Sequence, residues 1–449
     1  MKNQLLEVAE AALKKAESMG AEQSEVYISS SRSFSIEVEN SSIKGAHEKR
    51  DDGCGIRTVV GKGVGFAYVT TLLKEDIEEA ARKSVELAKS SIPDPAFVSL
   101  PSYEGSYSEV KGLFDKKIES LTSDDAADLV LRIVDATKAE LEGVNSAIEA
   151  YVRASTGWKT VMNSLGISGS ASSTSAWLYS YPTVKAEGDQ NSSYEFQLSR
   201  KLSEINPEWI GQTAARNALA NLGGSTIEGG DLPVIFTPLA VGTIIGGGFG
   251  GAVNAEEVQY GRSYIADALG EEIGSVNLEI VDNALLPGGI GSYAFDAEGY
   301  PSQTTEILSK GVLKNLLHNS YTANKDQVDN TGNASRPSYS GTPSISTSNL
   351  IIRPGKGSLE DLITETGKGI ICRNTGDRPN MTTGDLSAMV MEGSYFEDGA
   401  IKHSVKNTLI GINMRDLIRR VRLVGEDVRV GSSVVSPSIV IEKAKITSG

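Results

Sequence analysis

The stretch IIGGGFGGAVNAEEV, residues 244–258, carries five of the chain's 47 glycines and closes a run with no charged residue from Leu232 to Ala255. How it is read decides the fold. Gly246, Gly248 and Gly251 satisfy G-x-G-x-x-G, the dinucleotide fingerprint. That fingerprint needs its glycines where a strand turns into a helix, so that backbone amides meet a pyrophosphate. Here the expected strand is PVIF, 233–236, and Gly246 follows only after TPLAVGTII, which reads as the body of a helix. Asp267 lies at a suitable distance downstream, but the context of the glycines is wrong. A membrane span is the second reading, since the run is long enough and Gly246/Gly250 and Gly247/Gly251 form G-x-x-x-G pairs. Against it stand Pro233, Pro238 and flanks that are acidic, Asp231, Glu256 and Glu257. The expectation is a buried helix packed closely on a neighbour. Each glycine in a helix costs about 1 kcal/mol against alanine, so a cluster of them implies close backbone approach or a locally broken helix.

Upstream, residues 3–19 read as an amphipathic helix through Leu5, Val8, Ala12, Ala16 and Met19, with Gly20 at its end. Phe34, Ile36 and Val38 alternate with polar residues, and GIRTVVGKGVGFAYV (55–69) reads as strand with a hairpin turn at Gly61-Lys62-Gly63. Residues 74–90 return to helix, with Ile77, Ala81, Ser84 and Ala88 on one face. The first hundred residues thus read α-β-β-α. IPDPAF (92–97) and the polar stretch to Lys111 look like a linker. A helix is expected from Ser123 through Leu141, and strand-like runs at 147–155, 158–173 and 174–189. A further helix at 209–222 completes that unit. Beyond Pro233 short strands prevail, among them 278–283, 349–355, 369–374 and 437–446, without βαβ alternation or a fixed-period repeat. The expected class is α+β. The expected units are 1–100, 112–224 and a large β-rich domain, 225–449.

The chain has 449 residues, 43 Lys and Arg against 58 Asp and Glu, and a net charge of −15. That balance argues against a general nucleic-acid binder, which needs clustered cations, and against adhesion to an anionic membrane. Two cysteines, Cys54 and Cys372, form no disulfide framework, and the N-terminal segment lacks a signal-peptide core, so a cytoplasmic location is expected.

Only three histidines occur, His47, His318 and His403. His47 sits in AHEKRDD, expected to connect two strands as a solvated loop. His318, at the end of GVLKNLLHNSY, reads as a core-edge or capping residue, and His403 as part of a strand. There is no G-x-S-x-G elbow and no Walker A, and Gly288-Gly289-Ile290-Gly291 reads as a turn.

A third reading of the glycines comes from resemblance. VMNSLGI (161–167), LGGSTIEGGDLPVIFTP (222–238), ALGEEIGS (268–275), residues 280–317, NTGNASR (330–336), NMTTGDLS (380–387), residues 405–428 and SPSIVIEK (436–443) occur in the order of the TldD/PmbA family of zinc peptidases. The chain most resembles the PmbA (TldE) branch. In the TldD branch a helix carries H-E-x-x-x-H, with a downstream cysteine completing a zinc site. Aligned on LGEEIGS, Gly246 stands for the first His, Gly247 for the Glu and Gly251 for the second His. The cysteine position falls near Gly376, and Cys372 is out of register with it. The resemblance therefore implies no catalytic residue, no cofactor-binding residue and no metal ligand in this chain. It implies zinc in a partner: a TldD-like zinc-bearing subunit in a heterodimer, or a homodimer of this chain, acting on peptides. Two alternatives stay open. One is a peptide-binding or assembly protein without a peptidase partner. The other is an enzyme with an unrelated, metal-independent site using Asp296, Glu298 or Asp385. The spacing adds one physical point: residues five apart on an ideal α-helix diverge widely around its axis, so a metal helix of that spacing must be distorted, and glycines tolerate the same distortion.

Overall fold

The computed structural model describes residues 2–40, 42–186 and 188–449. Helix α1 (Lys2–Ser18) leads into three strands, β1 (Gln23–Glu39), β2 (Ser42–Val60) and β3 (Gly63–Val69), and then α2 (Lys74–Ser90). The order is α-β-β-β-α, one strand more than expected. AHEKRDD is not a connecting loop: His47 lies in β2, paired with Ser35 of β1. Its charged side chains sit on a strand because the first half of β2 runs along the outer edge of β1 with both of its faces wet.

After a short turn of helix, α3 (Lys116–Glu119), comes α4 (Ser123–Glu140). Its cap is Thr122, whose hydroxyl accepts from the Asp125 amide while Asp125 accepts from the Thr122 amide. The three strand-like runs that follow are two strands of 19 residues, β4 (Asn145–Asn163) and β5 (Ser168–Ala186). Polar Thr156 and Thr174 do not break them, because both are buried and Thr174 Oγ1 bonds the Arg200 carbonyl and the Asp115 amide. Strands β6 (Asp189–Ser192) and β7 (Glu195–Ser199) and helix α5 (Pro207–Ala220) complete this layer. All seven strands form one antiparallel sheet in the order β3-β2-β1-β4-β5-β6, with β7 also on β5. Residues of the segments 1–100 and 112–224 thus share a sheet, joined along β1 and β4.

Period-two alternation gives that sheet two different faces. Val26, Ile28 and Ile56 point to α1 and α2, while Ile36, Val152 and Leu178 point to α4 and α5. The opposite face carries no helix among the described residues. There Tyr27 and Val161 pack on Phe295, Ala297 and Tyr339 of the C-terminal half.

That half holds an eight-stranded and a six-stranded sheet. In the first, β8 (Gly230–Phe236) lies between Gly369–Asn374, which runs parallel to it, and Ile439–Ser448, which runs antiparallel. Ile439–Ser448 pairs on its other edge with Thr408–Asn413. The second sheet is built on Ile280–Asn283, Thr304–Ser309 and Leu350–Ile352, with Val434–Ser436 parallel to the last. The segment after β8 enters the core that both sheets share. It runs as α6 (Pro238–Val241), a π-helix over Gly242–Phe249 and a turn of α-helix over Gly250–Ala252. Ile244, Ile245 and Phe249 are buried there against Ile280, Leu350, Ile370 and Met414. No helix of the described residues is long and apolar enough to cross a membrane.

Candidate functional site

The glycine segment departs from α geometry as its spacing requires. A π-helix closes i→i+5 hydrogen bonds, which brings positions five apart toward one face. The space beside the glycines is occupied. A Cβ on Gly246 would lie 2.6 Å from Val434 Cγ2, and one on Gly251 would lie 2.9 Å from Met381 Cε. A Cβ on Gly247 would meet the Arg378 guanidinium, with Nε at 3.4 Å. Gly248 faces Pro379 in the same way, at 2.5 Å from its Cγ. Zinc takes imidazole, thiolate or carboxylate donors, and the side chains here are a valine, a methionine and a cation. The segment does not fit that metal. Among the described residues no three His, Cys, Asp or Glu side chains are placed to hold a metal ion.

The other sequence candidates lie apart from it. Cys372 is fully buried on its strand, its Sγ directed to the Asn374 carbonyl at 3.7 Å, and burial pushes its thiol up to about 12. Gly376 faces Met391 Sδ. His318 is buried, with Nδ1 3.2 Å from Thr322 Oγ1, and burial pulls its pKa down. His403 stacks on Tyr395, and His47 is exposed. Asp267 is exposed and ion-paired with Arg415, while Asp385, also exposed, accepts from Asn413 Nδ2 at 2.9 Å.

Asp296 and Glu298 are both buried, and each is held by a different device. Asp296 accepts three backbone amides, from Glu298, Tyr300 and Ala334, at 2.8–3.0 Å. Burial, with Glu298 close by, still raises it to about 7. Burial also works against ionised Glu298, but the Arg57 guanidinium outweighs it and holds that carboxyl below its ordinary value. Arg57 Nη2 donates to Glu298 at 2.8 Å and to Glu25 at 2.7 Å, and Glu25 pairs again with Arg336. This chain of charges ties the helix-free sheet face to the C-terminal half.

Beside it a cleft of about 490 Å³ opens between the two halves. β1 and β5 contribute Ser29, Ser31 and Ser173, and the facing loops contribute Ser292, Ser348 and Ser433. Two lining residues touch the glycine segment's surroundings: Thr347 packs beside Gly250, and Ser433 precedes Val434. The cations of the cleft are Lys159 and Arg200. Lys159 Nζ donates to the Phe295 carbonyl at 3.0 Å and lies 4.7 Å from the Tyr293 ring centre. Burial lowers it to about 8, nearby Asp296 opposing and Arg200 adding to the shift. Sequence reasoning missed both cations. Alternation along WKTVMNS does place Lys159 on the face opposite Trp158 and Thr160, but that face becomes a cleft wall only when the C-terminal half folds onto it.

Three family sequence models match the chain. They are PmbA/TldA metallopeptidase domain 1 over residues 24–88, the central domain over 116–222 and the C-terminal domain over 229–448. The chain is similar to the metalloprotease PmbA homologue of Haemophilus influenzae, 25% identical over 469 residues that cover 99% of this chain and 98% of that protein. A crystal structure of a candidate modulator of DNA gyrase from Thermotoga maritima superposes with a TM-score of 0.88 at 25% identity, over 98% of this chain and 99% of that one. TldE from Thermococcus kodakarensis shares the fold, with a TM-score of 0.90 at 23% identity over 98% of this chain and 100% of its own.

Proposed function

Because the chain belongs to the PmbA/TldD metallopeptidase family, we propose that it is the non-catalytic subunit of a two-chain peptidase whose zinc is supplied by a TldD-type partner. It works in the cytoplasm and completes the cleft in which peptides are held. The observation that carries this reading is the filled glycine segment. Gly246, Gly247 and Gly251 stand where the zinc-bearing relatives are expected to carry H-E-x-x-x-H, and Val434, Arg378 and Met381 take up the room. A guanidinium beside the position of the general base opposes both a bound cation and a proton acceptor. The helix-free sheet face supports pairing. Tyr151, Trp177, Tyr179 and Tyr181 stack along β4 and β5 at 5.2–6.3 Å between ring centres, all partly exposed. Aromatic rows of this kind are enriched where proteins meet. The same surface is available to a second copy of this chain.

The test is to purify the chain alone and together with an H-E-x-x-x-H homologue, then measure zinc content and cleavage of an unfolded peptide. The lone chain is expected to hold no stoichiometric zinc and to cleave nothing, and the pair to hold zinc and to cleave the peptide. Stoichiometric zinc in the lone chain overturns the reading. Failure of the two chains to associate moves the assignment to a peptide-binding protein without a peptidase partner.

A further inference from the structure

The cleft between the halves has an unusual balance of groups for this chain. Acids outnumber bases over the whole sequence, yet among the described residues no Asp or Glu lines the cleft, and two cations do. Neither cation has a carboxylate within ion-pair distance among the described residues. Arg200 has committed its fork to three backbone carbonyls, those of Gly289, Thr174 and Ile290. Lys159 has three N–H donors, and the Phe295 carbonyl takes one. The rest of the wall is mostly hydroxyl, from Ser29 and Ser31 on one side to Ser432 and Ser433 on the other, while Ser292 and Ser348 spend their protons on the Leu286 carbonyl and Asp282. Hydroxyls and ammonium protons are donors to an anion, and hydrogen bonds to a charged acceptor are the strong ones.

We propose that this cleft is a carboxylate subsite for peptides, in which Lys159 and the surrounding hydroxyls bind the free carboxylate at a peptide's C-terminal end or on an acidic side chain. The inference rests on the peptide reading above and deepens it. The two remaining ammonium donors face only the Tyr293 and Phe295 rings, and they match in number the two oxygens of one carboxylate, a stronger acceptor than a ring. A phosphate dianion is matched best by a bidentate guanidinium, and Arg200 already has one donor of each guanidinium nitrogen on a backbone carbonyl, which fixes its fork against the wall. Arg200 contributes positive potential from the wall instead. The volume exceeds that of a lone anion and leaves room for the residues that precede the carboxylate. Its position beside Thr347 and Ser433 puts the bound end next to the glycine segment.

The test is calorimetric titration of the full chain with N-acetyl-tetra-alanine as the free acid and as the C-terminal amide. The free acid is expected to bind about tenfold tighter. Lys159→Met removes the difference. Ser173→Asp, which places an acid in the wall without touching either cation, removes it as well and guards against a folding defect in the first variant. An N-acetylated amide ending in Asp separates the sources: binding like the free acid supports a side-chain carboxylate, and binding like the alanine amide supports the chain end. Equal binding of acid and amide by the unaltered chain overturns the carboxylate subsite and leaves the peptide reading standing. Binding of no peptide overturns the subsite, while the two-chain reading stands or falls on the zinc and cleavage of the pair. Displacement of the free acid by an equal concentration of inorganic phosphate overturns the choice of carboxylate.

Discussion

Lys159 carries a charge in a place that resists one. Its ammonium is lowered from the ordinary 10.5 to about 8 because burial disfavours the charged form. The unfolded chain therefore binds this proton more tightly than the folded one does. The resulting penalty is full below about pH 8 and is relieved as pH rises toward 10.5. Such a shift amounts to roughly 3 kcal/mol at most, and removing the donor leaves the Phe295 carbonyl unpaired at about 1 kcal/mol. Lys159→Met is thus expected to stabilise the protein by on the order of 1–2 kcal/mol at pH 7, with the gain shrinking by pH 10. Urea melts at the two pH values measure it, and an equal effect at both would contradict the account. A residue that destabilises the fold yet lines a cleft fits a binding role better than a structural one. The sequence marks such residues poorly. Asp296 and Glu298 stand out in their D-A-E-G turn, but what distinguishes them is Arg57, which reaches Glu298 from the far end of the chain.

At the scale of the element, the π-helical segment separates glycines that are needed from those that are not. A Cβ at Gly246 meets Val434 at 2.6 Å, whereas one at Gly242, on the same π-helix, meets nothing within 4 Å. Gly246→Ala is expected to overpack the core and cost about 1–3 kcal/mol. Gly242→Ala is expected to stabilise by about 0.5–1 kcal/mol through the lower entropy of the unfolded chain. Thermal melting of the two variants decides, and the same sign for both would refute the packing argument. The distortion of this element was legible, because the five-residue spacing cannot lie on one face of an α-helix. What fills the space was not, since Val434, Met381 and Arg378 come from loops and strands far along the chain. The same limit hid the length of β4 and β5. Thr174 looks like a break until Arg200 and Asp115 are there to satisfy it.

In the whole molecule, a helix-backed sheet presents its bare face to a C-terminal half built on two large sheets and a two-stranded ladder, and buried ions hold the junction. Arg57→Met would leave Glu298 without a guanidinium and Glu25 with Arg336 alone. Breaking a buried pair in this way is expected to cost about 3–5 kcal/mol, read as a fall in the midpoint of denaturant unfolding. A change below about 1 kcal/mol would show the charges to be solvated. The α+β class was legible from the alternation of periods. The sharing of one sheet by residues on either side of the 92–111 linker was not, because antiparallel pairing of β1 with β4 leaves no periodic trace in sequence. The strand Ile439–Ser448 adds a constraint of timing. It sits between Thr408–Asn413 and β8, inside its sheet. On a ribosome, β8 emerges long before that strand and waits with one flank unsealed, while the first sheet draws all its strands from residues 23–199 and can close early. A nascent chain halted short of Ile439 therefore displays two raw β-edges, the kind of surface that a chaperone must shield from neighbouring chains.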